Sequence, residues 1–114
     1  MTDPSAGRLE QQPAFEVLEL IRLWDLLEPY TTIESATPSL PRNVVNNLAA
    51  VRAVEQYVPL FAEELELVRR ARNSEVHGNP LSPENRAEAV NAARQLWRIL
   101  RQRLEQLGVV GLER

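Results

Sequence analysis

The side chains best suited to chemistry lie in one short segment, residues 69–78, with the sequence RRARNSEVHG. This segment contains Arg72 and His77, and His77 is the only histidine among the 114 residues. A guanidinium forks onto phosphate oxygens and stabilises developing negative charge. An imidazole, as a class, ionises near neutral pH and can move a proton to or from a hydroxyl group. Together the two residue types favour chemistry on a phosphodiester.

The spacing of apolar residues predicts that Arg72 lies on the apolar face of a helix. At about 100° per residue, five positions fall on one stripe: Phe61, Leu65, Val68, Arg72 and Val76. A guanidinium stays charged, and burying it without a partner is costly. We therefore expect Arg72 to face a carboxylate, a solvated cavity or an anionic ligand. Arg69 flanks the same stripe, whereas Arg70 points to solvent.

His77 follows Arg72 by five positions, which is a rotation of about 140° on a regular helix. Two side chains at that angle do not converge. Convergence requires the helix to loosen near His77, as Gly78 would allow, or a second chain to bring its own pair alongside. The purely structural alternative is that His77 caps the helix end and Arg72 pairs with an acid on a neighbouring helix.

Composition excludes several other kinds of site. The chain has no cysteine and all 13 basic residues are arginine, which excludes thiolate chemistry, disulfides and a Schiff-base lysine. A single histidine cannot build a multi-histidine zinc centre, so we expect neither a metal nor a cofactor. The polar start and the charges that interrupt each apolar stretch predict no targeting segment, no membrane span and a cytoplasmic protein.

Apolar periodicity predicts the helices that carry the segment. Residues 1–12 are polar and predict a flexible tail, followed by a single domain over 13–114. Helices are predicted from Pro13, over about 42–57, from Pro59 to Gly78, and from Pro83, with Ser82 as its cap, to a stop at Gly108. The prolines and hydroxyl residues of 29–41 predict a loop. We predict an all-α antiparallel bundle of four helices, or five if a short extra helix is counted.

The first predicted helix is apolar on most of its surface. Polar residues interrupt it only every third position, at Glu16, Glu19, Arg22 and Asp25. A helix that is apolar on most sides is buried on most sides. We expect it to lie at the centre of the bundle or against a second copy of the chain.

The segment RNSEVHG resembles the R-x4-6-H signature of the HEPN superfamily. The match consists of Arg72, four intervening residues and His77, with the polar residue Asn73 directly after the arginine. The context is also similar, since an arginine-rich helix precedes the motif and a short glycine–proline turn and a long amphipathic helix follow it. The resemblance implies a small bundle of four to five helices.

The resemblance also implies a function, namely a metal-independent endoribonuclease that acts as a homodimer, often a toxin or an antiviral defence effector. It implies that His77 acts as general base or acid at the RNA 2′-hydroxyl and that Arg72 binds the scissile phosphate. Asn73 would orient the histidine or contact phosphate. The pairs from two subunits would line a shared cleft. Arg69 and Arg70 would add a basic patch for the RNA substrate, and a cognate antitoxin or regulatory protein is a further expected partner.

Two other functions remain open from the sequence. One is a non-catalytic helical dimerisation or adaptor module, and the other is a nucleotide-binding domain that uses the same arginines without hydrolysis. The net charge of −3 does not favour non-specific RNA binding, which depends on phosphate neutralisation. Four arginines near the C-terminus would either extend a basic patch or form a solvated surface with glutamate partners: Arg94, Arg98, Arg101 and Arg103.

Overall fold

The structure, a computed structural model, describes residues 4–31 and 40–112, with side chains described from Phe15 onward. All regular structure in these residues is helical, so the all-α prediction is confirmed. There are five α-helices in this part of the chain: α1 (Pro4–Leu27), α2 (Arg42–Val45), α3 (Leu48–Leu60), α4 (Ala62–Val76) and α5 (Pro83–Gln106). A short 3-10 helix, Glu28–Tyr30, continues from α1. None of the described helices is both long and apolar enough to cross a bilayer.

Helix α1 begins at Pro4, well before the predicted start at Pro13. Residues 4–12 therefore belong to this helix, while residues 1–3 lie outside the described part of the chain. From residue 15 onward, α1 buries four residues: Leu20, Leu23, Trp24 and Leu27. Phe15 and Leu18 remain 68% and 64% exposed, so the helix is only partly covered by its own chain.

The helix predicted over 42–57 is divided into α2 and α3. The Oδ1 of Asn47 accepts a hydrogen bond from the Ala50 amide at 3.1 Å, which makes Asn47 the N-cap of a new helix. Its Nδ2 donates to the Leu107 carbonyl at 2.9 Å and ties this break to the end of α5. The break predicted at Pro59 lies at Phe61, between the end of α3 at Leu60 and the start of α4 at Ala62. Residues 32–39 of the predicted loop lie outside the described residues.

Helix α5 begins as predicted and forms one wall of the core. The Ser82 hydroxyl accepts from the Asn85 amide at 3.2 Å, and Pro83 occupies the first turn. Apolar residues spaced alternately three and four positions apart form a seam along α5 from Val90 to Leu107, and five of the six are buried: Val90, Ala93, Trp97, Leu100 and Leu104. The Tyr57 hydroxyl on α3 donates to the Leu96 carbonyl at 2.8 Å, so α3 packs directly on α5. The core therefore lies between α5 and the three helices that pack on it, α1, α3 and α4.

Candidate functional site

Arg72 lies near the end of α4, beside the buried residues Val68 and Ala71. The side chain is half-buried, and its Nη1 donates to the Asn73 Oδ1 at 3.1 Å. Its Nε is buried and has no hydrogen-bond partner. Within the described residues, no carboxylate pairs with this guanidinium. Most buried donors in native proteins have an acceptor, and the described residues supply none to Arg72 Nε, to Arg101 Nε or to Trp97 Nε1.

His77 is the C-cap of α4 and is exposed to solvent. Its backbone amide donates to the Asn73 carbonyl at 2.9 Å, which is the regular i to i−4 bond of an α-helix. The helix therefore does not loosen before His77, and the rotation of about 140° from Arg72 persists. Within one chain the two side chains lie on different faces of α4. Only the second route to convergence, a second copy of the chain, remains.

Asn73 connects the two predicted catalytic residues. Its side-chain oxygen contacts Arg72, and its main-chain carbonyl accepts the His77 amide. Its carboxamide thus orients the arginine. The contact to the histidine is made by the backbone and would persist with any other residue at this position.

The arginine that shares the helix face of His77 is Arg70, seven positions earlier and rotated by only about 20°. Arg70 and Ser74 line an open groove of about 670 Å³ between α4 and α5. Apolar residues form much of its surface, including Leu67, Ala71, Leu81 and Ala89, and polar residues complete it, including Glu63, Glu66, Asn85 and Glu88. His77 lies one turn beyond Ser74 on the same side of α4. His77 itself is not among the residues that line the groove.

Arg69 and Arg70, the two predicted substrate-binding residues, share one carboxylate. Glu66 Oε1 lies 2.6 Å from Arg69 Nη2 and 2.8 Å from Arg70 Nε. These hydrogen bonds, first from Arg69 and then from Arg70, lower the pKa of Glu66 to about 2. Both guanidiniums are largely exposed, so the carboxylate competes with any phosphate that approaches them.

The buried arginine in this region is Arg86, which the sequence analysis did not single out. Its Nε lies 2.8 Å from Glu75 Oε1, and the two side chains are only 8% and 5% exposed. Glu75 belongs to the RNSEVHG segment itself. A signal was present, because Arg86 lies four residues before Val90 and so extends the apolar seam of α5 backward by one turn.

The C-terminal arginines behave mainly as a solvated surface. Arg94 forms a two-pronged ion pair with Glu19 of α1, with Nη2 and Oε2 2.6 Å apart. The hydrogen bond from Arg94 is the main reason that the pKa of Glu19 is lowered. Arg101 Nε lies 3.8 Å from Glu105 Oε1, while Arg98 and Arg103 are exposed. Two of the four, Arg94 and Arg101, therefore lie close to glutamates.

The described residues contain no group of three imidazole or carboxylate side chains that could hold a metal ion. Comparison of the chain with known protein families, curated proteins and solved structures gives no match.

Proposed function

We propose that this chain is a HEPN-like, metal-independent endoribonuclease that acts as a homodimer, with Arg72 and His77 as its catalytic residues. One observation carries the proposal: the Arg72 guanidinium is half-buried, lacks an acid partner within the described residues, and has a buried Nε without an acceptor. A cation in that state is suited to an anionic ligand. The exposed imidazole of His77 lies five positions further along the chain.

The proposed reaction uses the 2′-hydroxyl of the RNA as the nucleophile. His77 removes the hydroxyl proton, the 2′-oxygen attacks phosphorus, and the bond from phosphorus to the 5′-oxygen breaks. The imidazolium of a second copy protonates the leaving oxygen. Arg72, held by Asn73, stabilises the added negative charge on the phosphate oxygens. The products are a 2′,3′-cyclic phosphate and a 5′-hydroxyl.

Two copies are needed because one α4 helix directs Arg72 and His77 to different faces. The exposed apolar residues of α1, Phe15 and Leu18, are suited to the contact between copies. They are three positions apart and therefore lie on one side of the helix. A homodimer that covers them would also explain why α1 is apolar on most of its surface.

Leu18→Glu is expected to weaken dimerisation by about tenfold or more, because a charge is then placed in an apolar contact. Sedimentation velocity over a concentration series measures the effect. Leu60→Glu is the matched control, since Leu60 is an apolar residue of α3 that is likewise exposed, at 72%. A wild-type protein that is monomeric at all concentrations would remove the homodimer from the proposal.

Glu66→Gln is expected to tighten RNA binding by about twofold to fivefold, because it releases two exposed arginines from a surface ion pair that solvent screens. Binding is measured in a His77→Ala background to prevent cleavage, over a salt series. The slope against salt should steepen by roughly 0.7 for each added phosphate contact. Glu55→Gln, an exposed residue of α3, makes the same change in net charge as a control. An equal effect of both variants would show that Arg69 and Arg70 do not bind RNA.

A second candidate function is a non-catalytic adaptor module. The exposed Phe15 and Leu18 favour it as well, because an apolar helix face can bind a partner protein such as an antitoxin instead of a second copy. In that case the purified chain would be monomeric and inactive on RNA. A role as a toxin or defence effector and a cytoplasmic location belong to the first proposal.

The direct test is incubation of the purified wild-type protein with RNA in the presence of EDTA. We expect cleavage that leaves 2′,3′-cyclic phosphate ends. Cleavage that EDTA abolishes and Mg²⁺ restores would contradict the metal-independent mechanism. The absence of cleavage under both conditions, with a protein shown to be folded, would contradict the enzyme and favour the adaptor.

A further inference from the structure

We infer that the buried pair Glu75–Arg86 is a positioning device that fixes the turn carrying His77, and so holds the exposed imidazole in place. Glu75 and Arg86 are positioning residues in this inference, since neither would touch the substrate. The inference rests on the proposed function for its catalytic meaning. Whether the pair orders the His77 side chain can be measured without RNA.

The pair holds the backbone of the turn at Leu81. Glu75 Oε1 accepts from Arg86 Nε at 2.8 Å and from the Leu81 amide at 3.1 Å. Arg86 Nη2 donates to the Leu81 carbonyl at 3.1 Å. The two side chains thus form hydrogen bonds with both the amide and the carbonyl group of Leu81. We call this set of hydrogen bonds, formed by Glu75, Leu81 and Arg86, the clasp.

The start of the turn is held by the helix itself. The His77 amide donates to the Asn73 carbonyl at 2.9 Å, and the Asn79 amide donates to the Ser74 carbonyl at 2.8 Å. Gly78 adopts a φ of +81°, which allows the chain to leave the helix in a left-handed step. The backbone of His77 is therefore fixed from the helix side by these bonds and from the far side of the turn by the clasp.

An ion pair is not required merely to hold α4 against α5. Apolar residues of similar volume in place of a buried ion pair are often neutral or stabilising, because the charges are costly to desolvate. Leucines could join the helices, but they cannot bond to the main chain of Leu81. The specific effect of the clasp is therefore on the turn, and His77 is one of the exposed side chains that this turn carries, together with Asn79 and Pro80.

The test uses the double variant Glu75→Leu/Arg86→Leu, which removes the clasp without leaving a buried charge unpaired. We expect it to remain folded, with kcat for RNA cleavage lowered by about tenfold to a hundredfold and KM little changed, since misplacement of a catalytic group affects the chemical step. The control is Arg101→Leu/Glu105→Leu, which removes an ion pair near the C-terminal end of α5, whereas Arg86 lies in the first turn of that helix. It should leave kcat unchanged.

NMR provides a measurement that does not depend on activity. As the only histidine, His77 gives one set of imidazole resonances, and we expect it to occupy one χ1 rotamer in the wild type and several in the double variant. A folded double variant with wild-type kcat and a single His77 rotamer would overturn the inference. If wild-type protein does not cleave RNA, the proposed function fails, while the rotamers of His77 still decide whether the clasp orders this side chain.

The wild-type protein alone decides the matter if the double variant does not fold. The Leu81 amide, bonded to Glu75, is then expected to exchange slowly with solvent although it lies in a surface turn. Slow exchange together with a single His77 rotamer supports the inference. Fast exchange of this amide, or several rotamers of His77, overturns it.

Discussion

His77→Ala is expected to lower kcat for RNA cleavage by about 10²- to 10⁴-fold, which is the usual contribution of a general acid or base. The loss is chemical, since no other imidazole exists in the chain to take over the proton transfer. The free energy of unfolding should stay within about 0.5 kcal/mol of the wild-type value, because the side chain is exposed and alanine retains the amide bonded to Asn73. Single-turnover cleavage and denaturant unfolding measure the two effects.

Asn91→Ala, a change at an exposed polar residue of α5, is the control for His77→Ala and should cleave RNA at the wild-type rate. A His77→Ala protein with wild-type kcat would show that the proton transfer belongs to another group. It would leave Arg72 as a phosphate-binding residue and favour the nucleotide-binding alternative. Titration with mononucleotides then distinguishes binding from cleavage.

Alanine in place of either Glu75 or Arg86 is expected to lower the free energy of unfolding by about 3–5 kcal/mol. The side chains of Arg86 and Glu75 are only 8% and 5% exposed. Each single change therefore leaves a buried charge without its counter-charge. Glu75→Ala also deprives the Leu81 amide of its acceptor. Because small domains are stable by only about 5–15 kcal/mol, either variant should unfold at a much lower denaturant concentration. The fluorescence of the buried Trp24 and Trp97 reports the transition.

Arg94→Ala is the comparison for these two variants, because it breaks an ion pair that is 54% and 34% exposed. A pair in that environment is worth at most about 1 kcal/mol. Equal losses in Arg94→Ala and Arg86→Ala would mean that burial does not distinguish the two pairs. The clasp would then contribute no more to the free energy of unfolding than the exposed pair does.

Much of the helical architecture could be predicted, because helix ends depend on local hydrogen bonds. The start of α5 follows from Ser82 and Pro83, and its seam follows from the spacing of apolar residues. The break between α2 and α3 could not be predicted in the same way. Asn47 forms that cap while it binds the Leu107 carbonyl, 60 positions away, and no local pattern contains this contact.

In the candidate site, too, some features follow from the local sequence and others depend on helix packing. The motif placed Arg72, Asn73 and His77 at the end of α4, and the expected angle between Arg72 and His77 follows from helix geometry alone. The sequence also predicted a carboxylate, a cavity or an anion opposite Arg72. The structure describes no acid partner for it, and the arginine that is buried and paired is Arg86.

Local sequence was sufficient for the all-α class, for the boundaries of α5 and for the order of the chemical groups along α4, because periodicity and capping act within a few residues. Only the packing of α4 against α5 decided which guanidinium is buried, because burial depends on the neighbouring helix. The same packing brings Glu75 to Arg86 and Leu81, and so fixes the turn at His77. The one histidine in the chain is therefore placed by contacts that its own segment does not reveal.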